Sequence, residues 1–207
     1  VTPEKPPTAR QAAAEQTRQK LLEAALAEFS RRPYAEVTVG DIARAAGVAH
    51  GLVSHHFQGK QGAYVAAVAE VYEQLREAEE AEQPAAVPER IRARFRGFVT
   101  FLAAHPDLAL NLVLAVGRDE AFADLRGRNL RVLAGLLGLD PDRPAVATAL
   151  RSFADGAEGL TADWLRDDRP FDLDALVEAF CALLAGALRG ARELDPALDV
   201  AKALARL

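Results

Sequence analysis

The chain has four histidines and one cysteine, and three of the histidines, His50, His55 and His56, fall inside the segment TVGDIARAAGVAHGLVSHHF at 38–57. Imidazoles can ligate a metal, carry a proton or hydrogen-bond a nucleic-acid base, and spacing decides among these. Two imidazoles reach one ion from a helix when they stand i,i+4 apart. Here the separations are five, six and one, and no carboxylate or thiol completes a set. Cys181 is alone, inside the apolar run EAFCALLAGAL, which rules out an intrachain disulfide or a thiolate cluster. No nucleophile–base constellation and no Gly-rich phosphate loop is visible. No metal, no cofactor and no catalytic residue is expected. What remains is recognition by hydrogen bonds. Val48 and Val53 face inward, while His50, Gly51, Ser54 and His55 face out. A short helix exposing small and polar groups fits a DNA major groove, where base edges offer patterned donors and acceptors.

The elements that position these residues follow from local signals. Thr38 and Asp41 have the spacing of a capping box, Val39, Ile42, Ala43 and Ala46 form the buried side of a short helix, and Gly47 breaks it. A second short helix is expected over 49–55, with Ala49 a poor cap, and Phe57, Gln58 and Gly59 make a turn. Helices of two turns are not stable alone. They need a third to pack on, here the stretch from Thr17, read as its cap, through Leu21, Leu22, Ala25, Leu26 and Phe29. Tyr34 and Tyr64 read as core or seam residues of this head. Residues 1–12 are Pro-rich and polar and read as a flexible arm. A helix from Lys60 to Glu80 leads onward. Further helical stretches fall at 87–104, 107–116, 119–137, 144–165, 172–191 and 196–206, with prolines near their starts. No segment alternates with a strand period. The fold class is all-α, divided as arm 1–12, head 13–60 with the connecting helix 60–80, and body 81–207.

Composition agrees with this division. Residues 1–60 carry 8 Lys/Arg against 6 Asp/Glu, and the rest carries 17 against 24, within a net charge of -5. A mildly basic head on an acidic body suits a protein that touches a polyanion with one end. The N-terminus lacks an apolar core, and the longest apolar stretches, such as LALNLVLAV at 108–116, are too short to span a bilayer. Membrane contact is therefore not expected, and cytoplasm is the natural compartment. Arginine far outnumbers lysine, the usage of a GC-rich bacterial gene.

From Thr17 to about Val68 the chain resembles the N-terminal DNA-binding domain of the TetR family. The resemblance rests on Pro33-Tyr34, Thr38, Ile42-Ala43, Ala46-Gly47-Val48, Ala49, Gly51, Val53, Ser54, His56-Phe57 and Lys60, in register over about a quarter of the chain. It implies a three-helix helix-turn-helix head in which Thr38 caps the second helix near the DNA backbone. His50, Gly51, Leu52, Ser54 and His55 then lie on or beside the reading face, and His56 and Lys60 approach phosphates. Three departures bear on the operator. Ala49 replaces the usual Ser, Leu52 a common Thr, and Ser54-His55 a frequent Tyr pair.

The same resemblance implies an antiparallel helical body that binds an effector and dimerises. Lining candidates for the pocket are Phe95, Phe98, Phe101, Leu102, Leu110, Val113, Leu114, Phe122 and Trp164, with His105, Asn111, Arg118 and Asn129 as polar neighbours. Candidates for the dimer seam are Leu176, Phe180, Leu183, Leu184 and Ala187. The function implied is a repressor that binds a palindromic double-stranded operator as a homodimer and is released by a small apolar or amphipathic effector. A co-repressor-dependent or activating regulator is one alternative. The other is an enzyme or interaction protein with a vestigial head.

Overall fold

The computed structural model describes residues 8–81, 86–113 and 123–207, and every regular element among them is helical. The chain forms two compact units, Val1–Val71 and Tyr72–Leu207. The division falls inside a helix, earlier than the expected start of the body at residue 81.

In the head, α1 spans Ala9–Arg31, α2 Val39–Ala46 and α3 Gly51–Phe57, and α4 (Lys60–Ala81) begins there. The start of α1 corrects the sequence reading. Thr8 is the cap, its hydroxyl accepting from the Gln11 amide while the Gln11 side chain accepts from the Thr8 amide. Residues 9–12 are therefore helix rather than arm. Thr17 lies mid-helix, and its hydroxyl donates to the Ala13 carbonyl at 2.9 Å. Residues 1–7 lie outside the described residues.

The head core draws on each helix: Leu21, Leu22, Ala25 and Phe29 from α1, Ile42 and Ala43 from α2, Val53 and Phe57 from α3, and Ala63, Tyr64, Ala67 and Val68 from α4. Phe29, Tyr34 and Tyr64 form an aromatic trio, with centroids 4.7 to 5.9 Å apart. Tyr64 is core, whereas Tyr34 is 37% exposed at the rim.

In the body, α5 (Val87–Ala104) is followed by a short α6 (Pro106–Leu108) that widens into a π-helical turn at Ala109–Val113. Then come α7 (Ala123–Leu137), α8 (Pro144–Arg166), α9 (Leu173–Leu194) and a last turn, α10 (Ala201–Leu204). Helices α8 and α9 form an antiparallel pair. Arg143, ahead of α8, bonds Asp195, behind α9, at 2.6 Å, and at the other end the Trp164 indole donates to the Phe171 carbonyl at 2.7 Å. Their facing stripes, Val146, Leu150 and Phe153 against Leu176, Phe180, Leu184 and Leu188, make one core with Ile91, Phe95 and Val99 of α5 and Leu133 and Leu137 of α7. The helix expected at 196–206 is confined to 201–204. Asp195 and Asp199 side chains accept from the amides two residues on, an Asx turn that competes with helix.

Candidate functional site

Two places in the chain concentrate function-bearing residues: the face of α3 in the head and a cavity in the body.

The helix-turn-helix is held by three devices. The Thr38–Asp41 capping box is reciprocal: the Asp41 amide donates to the Thr38 hydroxyl at 3.2 Å, and the Thr38 amide donates to the Asp41 carboxylate at 3.0 Å. The Thr38 hydroxyl also donates to that carboxylate at 2.7 Å, and it and the Thr38 amide hold the Asp41 carboxyl down at about 2, with Arg44 and Arg32 adding to the effect. Gly47 ends α2 in the left-handed region at φ 66°, where a side chain would be strained. Gly62 meets α3 from α4: a Cβ there would lie 1.7 Å from the Phe57 carbonyl oxygen, so only glycine lets the two backbones approach.

α3 begins two residues later than expected and ends two later, so Ser54, His55 and His56 all lie within it. His50 stands at its cap position without a side-chain bond to the helix. His50, Gly51, Ser54 and His55 are exposed, as is Thr38, while Leu52, His56 and Lys60 are half-buried. The outward set expected from the sequence therefore lies on one short helix, with Val53 and Phe57 turned into the core. The His55 and His56 rings sit edge to face, centroids 5.1 Å apart. Among the described residues, no group of three His, Cys, Asp or Glu side chains could hold a metal ion. The Lys60 ammonium lies 4.2 Å from the Tyr34 ring centroid and 3.5 Å from the Ala35 carbonyl, which ties α4 to the turn before α2.

The body cavity, about 120 Å³, is bounded by α4, α5, α7, α8 and α9. Of the sequence candidates, Phe95, Phe98 and Asn129 line it. Leu102 is buried away from it, and Trp164 is a core residue bonded to the α8–α9 turn. Phe101 and Leu110 are half-buried elsewhere, with the Phe101 ring 4.9 Å from that of His105. Val113 ends the π-helical turn, and Leu114, Arg118 and Phe122 lie outside the described residues.

The polar side of the cavity is what the sequence reading missed. Arg126 of α7 bonds Asp155 at 2.7 Å and Glu158 at 3.1 Å, both on α8. Burial lifts the Glu158 carboxyl to about 7, helped by the Asp155 charge and opposed by Arg126. Burial also lifts the Tyr72 phenol to about 12, with the Glu158 charge adding to it. Arg76 and Arg94 line the same space. Nothing in the spacing of residues on four separate helices could have announced this cluster.

The dimer candidates separate cleanly. Leu176, Phe180 and Leu184 are 0–1% exposed, packed within the body's own core. Leu183 is 39% exposed on α9, and Ala187 is half-buried with one side against the core. No helix among the described residues is long and apolar enough to cross a membrane.

A capped helix pair with an exposed polar face in the head, and a separate all-helical body with an amphipathic cavity, define the class of helix-turn-helix proteins. Residues 21–67 match the sequence model described as "Bacterial regulatory proteins, tetR family". A TetR-family regulator from Streptomyces coelicolor superimposes with a TM-score of 0.68 at 24% identity, over 93% of this chain and 88% of that one. A transcriptional regulator from Pseudomonas aeruginosa PAO1 gives 0.62 at 25%, over 86% and 94%. FadR from Bacillus subtilis, in complex with stearoyl-CoA, gives 0.64 at 22%, over 80% and 96%. No curated protein matches the chain. Residues 21–67 thus match the head of the TetR family, and the chain as a whole shares the helical fold of these structures.

Proposed function

We propose that the chain is a ligand-responsive transcriptional repressor that binds a palindromic operator as a homodimer and releases it when an amphipathic effector fills the body cavity. The observation that carries this reading is the exposed face of α3, where His50, Gly51, Ser54 and His55 stand clear of a core that holds Val53 and Phe57 fixed. His50 and His55 offer ring nitrogens to base edges, and Leu52 offers a methyl surface to thymine. Thr38, His56 and Lys60 take the backbone. For Lys60 this means leaving the Tyr34 face for a phosphate, a swap between two weak cation partners.

One such helix reads few base pairs, so a second copy related by a two-fold axis completes the site. The outer face of α8 and α9 suits that contact. Leu183 and Ala187 stand beside the exposed small residues Ala182 and Gly186, and Gly159 of α8 has open space around it, so two backbones can approach closely. The cavity supplies the effector site, with an apolar floor and an arginine-rich wall. The stearoyl-CoA bound to the Bacillus subtilis FadR is likewise a long apolar chain with a polar head. Differential binding of effector to the two body conformations then sets the operator affinity. A regulator of this kind acts in the cytoplasm.

The test is an anisotropy titration against the chain's own upstream intergenic DNA, with excess competitor and at two salt concentrations. Saturable, salt-dependent binding that footprints to a palindrome supports the reading. Absence of specific binding to a genome-wide fragment pool, with the protein folded, overturns it.

A further inference from the structure

The cavity holds more charge than an apolar effector requires. The Arg126 and Glu158 side chains are 16% and 17% exposed. One guanidinium serves two carboxylates there, Asp155 at 2.7 Å and Glu158 at 3.1 Å. The other charged or titratable groups on the cavity are Tyr72 and Arg76 from α4 and Arg94 from α5, and α9 contributes only Phe180. Arg76 is also paired with Glu73. A third anion on Arg126 would crowd three carboxylates onto one guanidinium that is 16% exposed. In that situation one acid keeps a proton. Glu158 is the acid already moved that way, by its burial and by Asp155. Phe95, Phe98, Phe153, Phe180, Leu130 and Leu133 supply the surface for an apolar tail. A ligand ammonium is disfavoured, because Arg76, Arg94 and Arg126 all line the space against Glu158 alone.

We infer that the cavity takes a small apolar carboxylate whose head replaces Glu158 on Arg126, while Glu158 withdraws as the neutral acid with a proton taken from solvent. The inference rests on the reading of this cavity as the effector site. It makes the regulator a joint sensor of an organic acid and of pH. Below about pH 7 Glu158 is already neutral and the exchange needs no further proton; above it, each step in pH weakens binding.

The experiment is calorimetry on the full chain with three matched probes: octanoate, 1-octanol and octylammonium. Titrations run at pH 6.0 and 8.5, in buffers of different ionisation enthalpy. Octanoate is expected to bind about thirty-fold more weakly at the higher pH, with uptake of about one proton there. Glu158→Gln, which imitates the neutral acid, should bind octanoate equally at both pH values. Arg126→Gln should weaken octanoate and leave 1-octanol unchanged. The buffer dependence of the unmodified protein tests the proton without any variant. Octanoate binding without proton uptake, or octylammonium binding more tightly than octanoate, overturns the exchange and leaves the cavity a ligand site. Failure of all three probes, with operator binding intact, overturns the effector-site reading as well.

Discussion

Gly62→Ala is the sharpest perturbation of the head. A Cβ at this position would lie 1.7 Å from the Phe57 carbonyl oxygen and 2.8 Å from its carbon. Neither neighbour is a rotatable side chain, so the end of α3 must move by more than 1 Å or α4 must give way. Overpacking of this kind costs about 1–3 kcal/mol, and a backbone clash stands at the upper end. Alanine returns roughly 1 kcal/mol through its better helix propensity. The net expectation is a loss of about 2 kcal/mol, which for a unit of this size lowers the midpoint by about 10 °C. Because α3 bears the reading face, operator affinity should fall further than stability alone dictates. Thermal unfolding by circular dichroism, paired with operator anisotropy below the transition, measures both. Gly51→Ala is the control: a Cβ there meets nothing within 4 Å, so its melt should match or exceed the wild type. A Gly62→Ala melt at or above the wild-type midpoint would refute the argument that this glycine is what lets α3 seat on α4.

Thr38→Ala removes the capping box and should cost about 1 kcal/mol in urea unfolding. The Asp41 carboxyl, freed from Thr38, should titrate closer to 3.8 than to about 2 by NMR. Its sign is that of a lowered acid: the stabilisation is present above 3.8 and is lost as pH falls through about 2, so the variant should lose its acid resistance in that window. Glu158 has the opposite sign. Its carboxyl is raised from 4.5 to about 7, so its share of stability is full below 4.5 and is lost as pH rises to 7. Relative to wild type, Glu158→Gln should therefore gain up to about 3 kcal/mol between those limits, and equal pH profiles for the two proteins would contradict the burial argument. Leu183→Glu places a charge on the outer face of α9 without touching the core, and light scattering should report monomers with an unchanged dichroism spectrum. A stable dimer of that variant would move the seam elsewhere.

The head was more legible in the sequence than the body, and the reason is distance along the chain. Thr38 and Asp41 are three residues apart, Gly47 closes the same helix, and His50 to His55 span the cap and body of a single short one, so spacing along the chain carried the geometry. The start of α1 was misread because Thr8 sits at the edge of a Pro-rich stretch, while Thr17 precedes the apolar stripe and looks like a cap. In the body, Leu176, Phe180 and Leu184 form an apolar stripe, but a stripe does not say whether the partner is α8 of the same protomer or a second copy. In the fold they pack among the body's own helices. Arg126 and Glu158 are 32 residues apart on different helices. Only the packing of α7 on α8 brings them together, and each alone reads as a solvated charge.

Trp164 gives the molecule a built-in division of optical labour. It is the chain's one tryptophan, it lies in the body, and it is 4% exposed, with its indole N–H held by Phe171 and the Arg169 guanidinium 5.6 Å from its ring centroid. The head has tyrosines but no such reporter. Indole emission during unfolding therefore follows the body alone, whereas helical dichroism sums both units. Coincident transitions would mean that the helix running through Val71 and Tyr72 welds the units into one cooperative block. Separated transitions would mean that no single unfolding free energy describes the chain, and that head variants such as Gly62→Ala shift one curve and leave the other in place.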